Sequence, residues 1–267
     1  MTKYRNVLTQ TDFGPMIINI NDDTIGMCIS RYGYWGAGDI VLIQSILTKL
    51  YADKEHMCLL DIGTNIGTHT LAFAKFPFRN VTVHAFEAQR EIFYMLAGTI
   101  ALNNLSNVHC HHAAVSNKGN QEIQIPKVDY SSHSNFGSFE IERAKYSDTA
   151  DMYIANSSEP VKTICIDDMN LSDVRLLKID VEGMEDKVIE GARKTIESNR
   201  PVVFLEMFKT DFPPIRDFLH SLDYVIFLSP SKDCICIPAE HGLGITGATL
   251  VPRSQVESQP IHSPLQP

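Results

Sequence analysis

The chain has 267 residues, 44% of them hydrophobic and 21% charged, proportions that suit one large α/β domain with additions. Its 23 lysines and arginines against 32 aspartates and glutamates leave a net charge of −9. That argues against a nucleic-acid backbone as main partner, because phosphate binding needs a basic surface. No stretch approaches the ~20 apolar residues of a membrane span, and the N-terminus lacks the apolar core of a signal peptide, so a cytoplasmic location is expected.

Residues 1–54 precede the first motif and read as a small N-terminal cap over the C-terminal edge of a sheet. Met16–Ile20 and Thr24–Ile29 look like short strands around the turn Asn21-Asp22-Asp23. A glycine-rich loop, Arg31 to Asp39, holds the only tryptophan, Trp35. It suits either an acceptor-pocket wall or packing of the cap on the core. Ile43, Ile46, Leu47 and Leu50 recur at helical spacing over Ile40–Leu50.

Cys58 to Leu60 is a short apolar run suited to a buried parallel strand, and it leads into Asp61. Gly63 and Gly67 follow, with three residues between them, then the apolar run Leu71–Ala74. Strand, glycine turn and helix N-terminus form the crevice in which an α/β sheet holds a nucleotide-like ligand. The spacing is not the G-x-G-x-x-G of a dinucleotide site, and no Gly-Lys-Ser/Thr ending marks a P-loop. Val81–Glu87 is a second strand ending in a carboxylate about 20 residues on, where a ribose hydroxyl pair is gripped. An adenosine without a pyrophosphate fits both features, and S-adenosylmethionine is the commonest such ligand.

Ala88–Asn104 reads as a long amphipathic helix and Asn107–Val115 as a third strand. Alternation puts His109 and His111 on one face and His112 on the other, an arrangement that argues against a metal. Gln121–Ser158 is polar and without clear periodicity, a long insertion that could face an acceptor; within it His133 is a candidate base. Val161–Ile166 is a strand. Leu176–Glu185 is the second dense stretch, a buried strand whose Lys178, Asp180 and Glu182 share one face. Such charges are costly unless paired or functional. A helix over Met184–Glu197 follows, then a strand ending at Glu206, a helix over Asp211–Leu222, and strands Tyr224–Leu228 and Cys234–Pro238. Residues 248–267 read as a disordered tail. The six cysteines, Cys28, Cys58, Cys110, Cys165, Cys234 and Cys236, are expected to be reduced and structural.

From Leu59 to Leu228 the chain resembles the FkbM family of S-adenosylmethionine-dependent methyltransferases. The resemblance rests on Leu60–Gly67, Ala85-Phe86-Glu87, Thr163–Asp168, Leu177–Glu185 and Leu205-Glu206. Thr64, where the family more often has alanine, and Ala88, where it commonly has proline, depart from the pattern. The resemblance implies a Rossmann-like class I methyltransferase fold over residues 55–247, with a mixed seven-stranded sheet, helices on both faces and a closing antiparallel edge. It implies S-adenosyl-L-methionine as cofactor and O-methylation of a sugar, glycan or hydroxylated natural product. Carried over residue by residue, it puts the methionine moiety by Asp61, Gly63, Thr64, Asn65 and Gly67. Glu87 holds the ribose, Ala88, His112 and Ala113 flank adenine, and Asp180 and Glu182 face the methyl and the acceptor. Asp180 is the first candidate base, with Glu182 supporting, Lys178 neutralising and His133 as runner-up. As an alternative, Asp180 and Glu206 would bind a magnesium ion that chelates the acceptor. A non-catalytic binding module would keep the glycines but could lose Asp180 and Glu182. The sequence gives no acceptor identity and no oligomeric state.

Overall fold

The computed structural model describes residues 5–141, 152–207, 209–229 and 233–252. An eight-stranded sheet carries the fold. Its parallel strands are β3 (Met57–Ile62), β4 (Val81–Glu87), β5 (Val108–His112), β9 (Val174–Ile179) and β10 (Val202–Leu205). Beyond β10 come β12 (Cys234–Pro238), β11 (Tyr224–Leu228) and β13 (Thr249–Val251), each antiparallel to its neighbour. The strand order is β13-β11-β12-β10-β9-β3-β4-β5. Chain order reverses at β3, so a crevice opens at the C-terminal ends of β3 and its neighbours.

Period-two alternation sends β3 to both faces. Met57 and Leu59 pack with Ile40, Ile43 and Leu47 of α2 (Ala37–Tyr51) and Phe73 of α3 (Thr68–Phe73). Leu60 and Ile62 face the opposite layer, with Val188 of α5 (Glu185–Gly191), Ile196 of α6 (Arg193–Asn199) and Leu219 of α7 (Phe212–Ser221). Each such side chain contributes about 1.5–3 kcal/mol on full burial. Leu96 and Ile100 of α4 (Arg90–Leu102) cover Ala85 beside them.

A separate cluster joins the N-terminal hairpin to the insertion. β1 (Asn6–Thr11) and β2 (Gly14–Asn19) pair antiparallel. A second sheet contains β6 (Ala114–Val115), β8 (Tyr153–Ile164) and β7 (Glu122–Val128). Met16, Ile18, Ile125, Tyr130, Phe136 and Tyr153 are buried together between them. The turn after β2 is stitched to the insertion by hydrogen bonds. Asn19 Nδ2 and Asn21 Nδ2 both donate to Tyr130 O, at 3.2 and 3.1 Å. Asp23 N donates to Ser134 O and Ser134 N to Asn21 O, each at 3.0 Å.

Several expected elements change. Thr24–Ile29 is not a strand: α1 (Ile25–Tyr32) starts where Asp22 Oδ1 accepts from the backbone of Thr24 and Ile25, and it ends at Gly33 in the left-handed region. Only part of the N-terminal region caps the sheet edge, because α2 lies on a sheet face. Gln121–Ser158 holds β7 and the first half of β8, a long hairpin rather than a structureless loop; its residues 142–151 lie outside the described residues. The helix expected over Met184–Glu197 breaks at Ala192. Gly191 packs there against Ser116, whose carbonyl oxygen would lie 2.3 Å from an added Cβ. The sheet has eight strands, not seven, because Thr249–Val251 of the expected tail pairs with the open edge of β11 and buries Val251. The remainder of the tail, from 253, lies outside the described residues. Among the described residues no helix is long and apolar enough to cross a membrane.

Candidate active site

The turn after β3 is compact because of Gly63. Its φ is +78°, and an added Cβ would lie 1.7 Å from Asp180 O, so the ends of β3 and β9 meet there as bare backbone. Gly63 N and Thr64 N both donate to Phe86 O, at 3.0 and 3.1 Å. Asn65 is left-handed too, with φ +51°, and Asn65 N donates to Glu87 Oε2 at 2.9 Å. Gln89 N donates to the other oxygen, Oε1, at 2.8 Å. Burial pushes the Glu87 carboxyl up to about 7, against the backbone N–H groups that favour its anion. Gln89 is itself buried, with Oε1 accepting from Tyr130 Oη at 2.9 Å and Nε2 donating to Phe136 O at 3.3 Å.

Across the crevice, β9 and β10 end in carboxylates. Asp180, Glu182 and Glu206 bring one oxygen each to within 4.8 Å of one another. Burial raises the Glu206 carboxyl well above its usual range, and the Asp180 and Glu182 carboxylates raise it further. Burial also raises Glu182, although Lys209 Nζ at 2.9 Å opposes the shift. Glu182 adopts φ +54°, a conformation unusual for a residue with a side chain. Glu185 steadies this turn, accepting from Val181 N at 3.1 Å and from Gly183 N at 3.0 Å. Lys178 lies beneath, 3.3 Å from Asp180 and 3.6 Å from Asp61. Burial disfavours the Lys178 charge, but the two aspartates outweigh that and hold its ammonium above the usual lysine range.

Both ends open into one cavity of about 300 Å³, within the range of small-molecule sites. Of the residues expected at the site, Gly63, Asn65, Glu87, Ala88, Ala113, Asp180 and Glu182 line it, as does Glu206. The others stand apart. Asp61 is fully buried beneath, accepting from Thr70 Oγ1 at 2.5 Å. Thr64 is buried with its hydroxyl turned to backbone carbonyls, and Gly67 packs against Leu96. His112 is turned away by strand alternation, stacked on Phe93 and 3.2 Å from Ala88 O. Lys178 is not among the lining residues and is paired with Asp61 and Asp180. His133 is exposed, 2.8 Å from Asp23, and not among the residues that line the cavity. His109 and His111 do share a face, stacking in a row with His84.

The cavity also takes Thr24, Ile25 and Trp35 from the N-terminal region and Asn135, Gly137, Phe139 and Ile141 from the insertion. Sequence reasoning gave Trp35 an open choice between pocket wall and packing, and it lines the pocket. Gln89 was missed, although its place two residues after Glu87 was a usable signal. Lys209 and Glu140 carried no sequence signal, since only the fold brings them to Glu182.

The family model for the methyltransferase FkbM domain matches residues 61–226. No curated protein matches the chain. Among solved structures, the chain resembles a methyltransferase FkbM from Methylobacillus flagellatus KT at 17% identity and a TM-score of 0.47, covering 71% of this chain and 47% of that one. It thus spans about half the length of that relative. A tRNA (uracil-54, C5)-methyltransferase from Pyrococcus abyssi, solved with S-adenosyl-L-homocysteine, is similar at 12% identity and TM-score 0.41, over 87% and 44% of the two chains. A precorrin-6y C5,15-methyltransferase from Geobacter metallireducens is similar at 12% and 0.40, over 73% and 85%. With a family match over more than half its length, this chain belongs to the FkbM family of S-adenosylmethionine-dependent methyltransferases.

Proposed function

We propose that the protein methylates a hydroxyl of a sugar, glycan or hydroxylated natural product, using S-adenosylmethionine. The observation that carries this reading is one cavity with Glu87 beside the glycine turn at one end and Asp180, Glu182 and Glu206 at the other. The residues fit the cofactor. Gly63 lets the ends of β3 and β9 close up as bare backbone at the cavity wall, and Glu87 directs a buried carboxylate at the crevice to accept from ribose hydroxyls. Ala113 supplies a flat apolar wall for adenine.

When bound, the cofactor supplies an electrophilic sulfonium methyl. The protein's part is to hold the acceptor oxygen in line, a contribution of several kcal/mol through lost translational and rotational freedom. Its second part is to take the hydroxyl proton. Glu182 is suited to this, because burial lifts its carboxyl toward neutral pH. Asp180 lies beside it with one oxygen on Lys178 and serves to orient the acceptor. Trp35, Phe139 and Ile141 would seat the apolar part of the acceptor.

A second reading gives Asp180, Glu182 and Glu206 a divalent cation that chelates the acceptor. Three carboxylate oxygens within 4.8 Å favour it, and such all-oxygen donors suit magnesium. Transfer of labelled methyl from S-adenosylmethionine to a panel of hydroxylated acceptors tests the function, run with magnesium and with EDTA. Methyl ethers formed by the wild type and lost in Glu182→Gln support the reading. EDTA-sensitive transfer selects the cation-dependent form. Methylation of carbon or nitrogen instead would overturn O-methylation.

A further inference from the structure

Lys209, between β10 and α7, lies outside the expected site, yet its ammonium joins two carboxylates from distant parts of the chain. Nζ is 2.9 Å from Glu182 Oε2 and 2.5 Å from Glu140 Oε1. Glu140 belongs to the insertion and is only 1% exposed. Its backbone N–H donates to Tyr153 Oη at 2.9 Å, while its Oε2 has no hydrogen-bond partner among the described residues. A carboxylate buried this deeply is costly unless a cation faces it. Its neighbours Phe139 and Ile141 line the cavity, so the same strut fixes the cavity wall. The next residue, Thr210, donates its hydroxyl to Glu185 Oε2 at 2.7 Å, which pins the segment to the turn carrying Glu182.

We propose that Lys209 is a positioning residue that holds Glu182 at the methyl-transfer end of the cavity and sets, through its sharing with Glu140, how much negative charge Glu182 presents there. This rests on the reading of the cavity as the S-adenosylmethionine site. One ammonium divided between two carboxylates only partly cancels the field of Glu182. Without Lys209 that field is unopposed. Without the Glu140 charge, Lys209 cancels it more fully. The two changes therefore act in opposite directions on a cation at the methyl position.

Calorimetry with two ligands reads this directly. S-adenosylhomocysteine is uncharged at the transfer position, whereas sinefungin carries an ammonium there. Both are titrated at pH 8.5 in EDTA, and the ratio of their dissociation constants isolates the charge effect from general damage. Lys209→Met should shift the ratio toward sinefungin by about fivefold. Glu140→Gln should shift it the other way by a smaller factor, and Lys209→Arg should match the wild type. If Lys209→Met does not fold, the sign of the Glu140→Gln shift decides the question alone. An unchanged ratio, or shifts of the same sign in both variants, would overturn the proposal while leaving the cofactor reading intact. A wild type that binds neither ligand would remove the cofactor reading itself.

Discussion

Glu87 is the group whose environment makes the sharpest pH prediction. Its carboxyl stands at about 7, chiefly because it is buried, against an ordinary 4.5. A carboxyl raised in the folded state keeps its proton there after the unfolded chain has lost it. Its favourable contribution is complete below pH 4.5 and falls as pH rises through 7. A single site with this shift loses about 2 kcal/mol between pH 5.5 and 7.5. Glu182, Glu185, Glu206 and Asp61 are raised too and act in the same sense, so the informative quantity is the difference from Glu87→Gln. Cofactor binding should run the other way, because ribose hydroxyls donate to the anion. S-adenosylhomocysteine should bind roughly 20-fold more tightly at pH 7.5 than at 5.5, with close to one proton released near pH 6. Urea unfolding at both pH values gives the first quantity, and calorimetry in buffers of different ionisation enthalpy gives the second. Parallel stability profiles for wild type and Glu87→Gln, or binding without proton release, would refute the reasoning.

Other substitutions test separate parts of the account. Lys178→Met leaves Asp61 buried without its cation and should cost about 3–5 kcal/mol, measured as a lowered urea midpoint. Gly63→Ala should abolish S-adenosylhomocysteine binding and lower thermal stability, because its Cβ would overlap Asp180 O. Tyr130→Phe removes only the hydroxyl that donates to buried Gln89; it should cost about 1–2 kcal/mol of stability and weaken S-adenosylhomocysteine binding severalfold. Binding at wild-type strength would show that the insertion does not brace the adenosine end.

Much of this was legible because it is local. The run into Asp61, the glycine turn and the alternation through Lys178 and Asp180 are set by neighbours in sequence, and β3, β4 and β9 formed as expected. Glu87 was readable from its distance to the turn. The errors arose where short-range signals conflicted. Thr24–Ile29 is rich in strand-forming side chains, but the Asp22 cap and Gly33 decide for a helix with Ile25 and Ile29 buried on one face. Asp61, placed at the site through the family resemblance, and Lys178 form a buried ion pair at 3.6 Å below the cavity floor, which strand alternation alone does not reveal. The insertion had no readable period because β7 and β8 are largely solvent-facing on one side. The place of Trp35 in the cavity wall and the Glu140–Lys209–Glu182 strut depend on packing between distant segments, which no local pattern encodes.

The central claim, that this cavity is a cofactor site organised on Glu87, is tested most directly by calorimetric titration of S-adenosylhomocysteine into wild type and Glu87→Ala. The account predicts micromolar binding to the wild type and a loss of tenfold or more in the variant, about 1.4 kcal/mol at least. Absence of binding to the wild type, or equal affinity for both proteins, would contradict it.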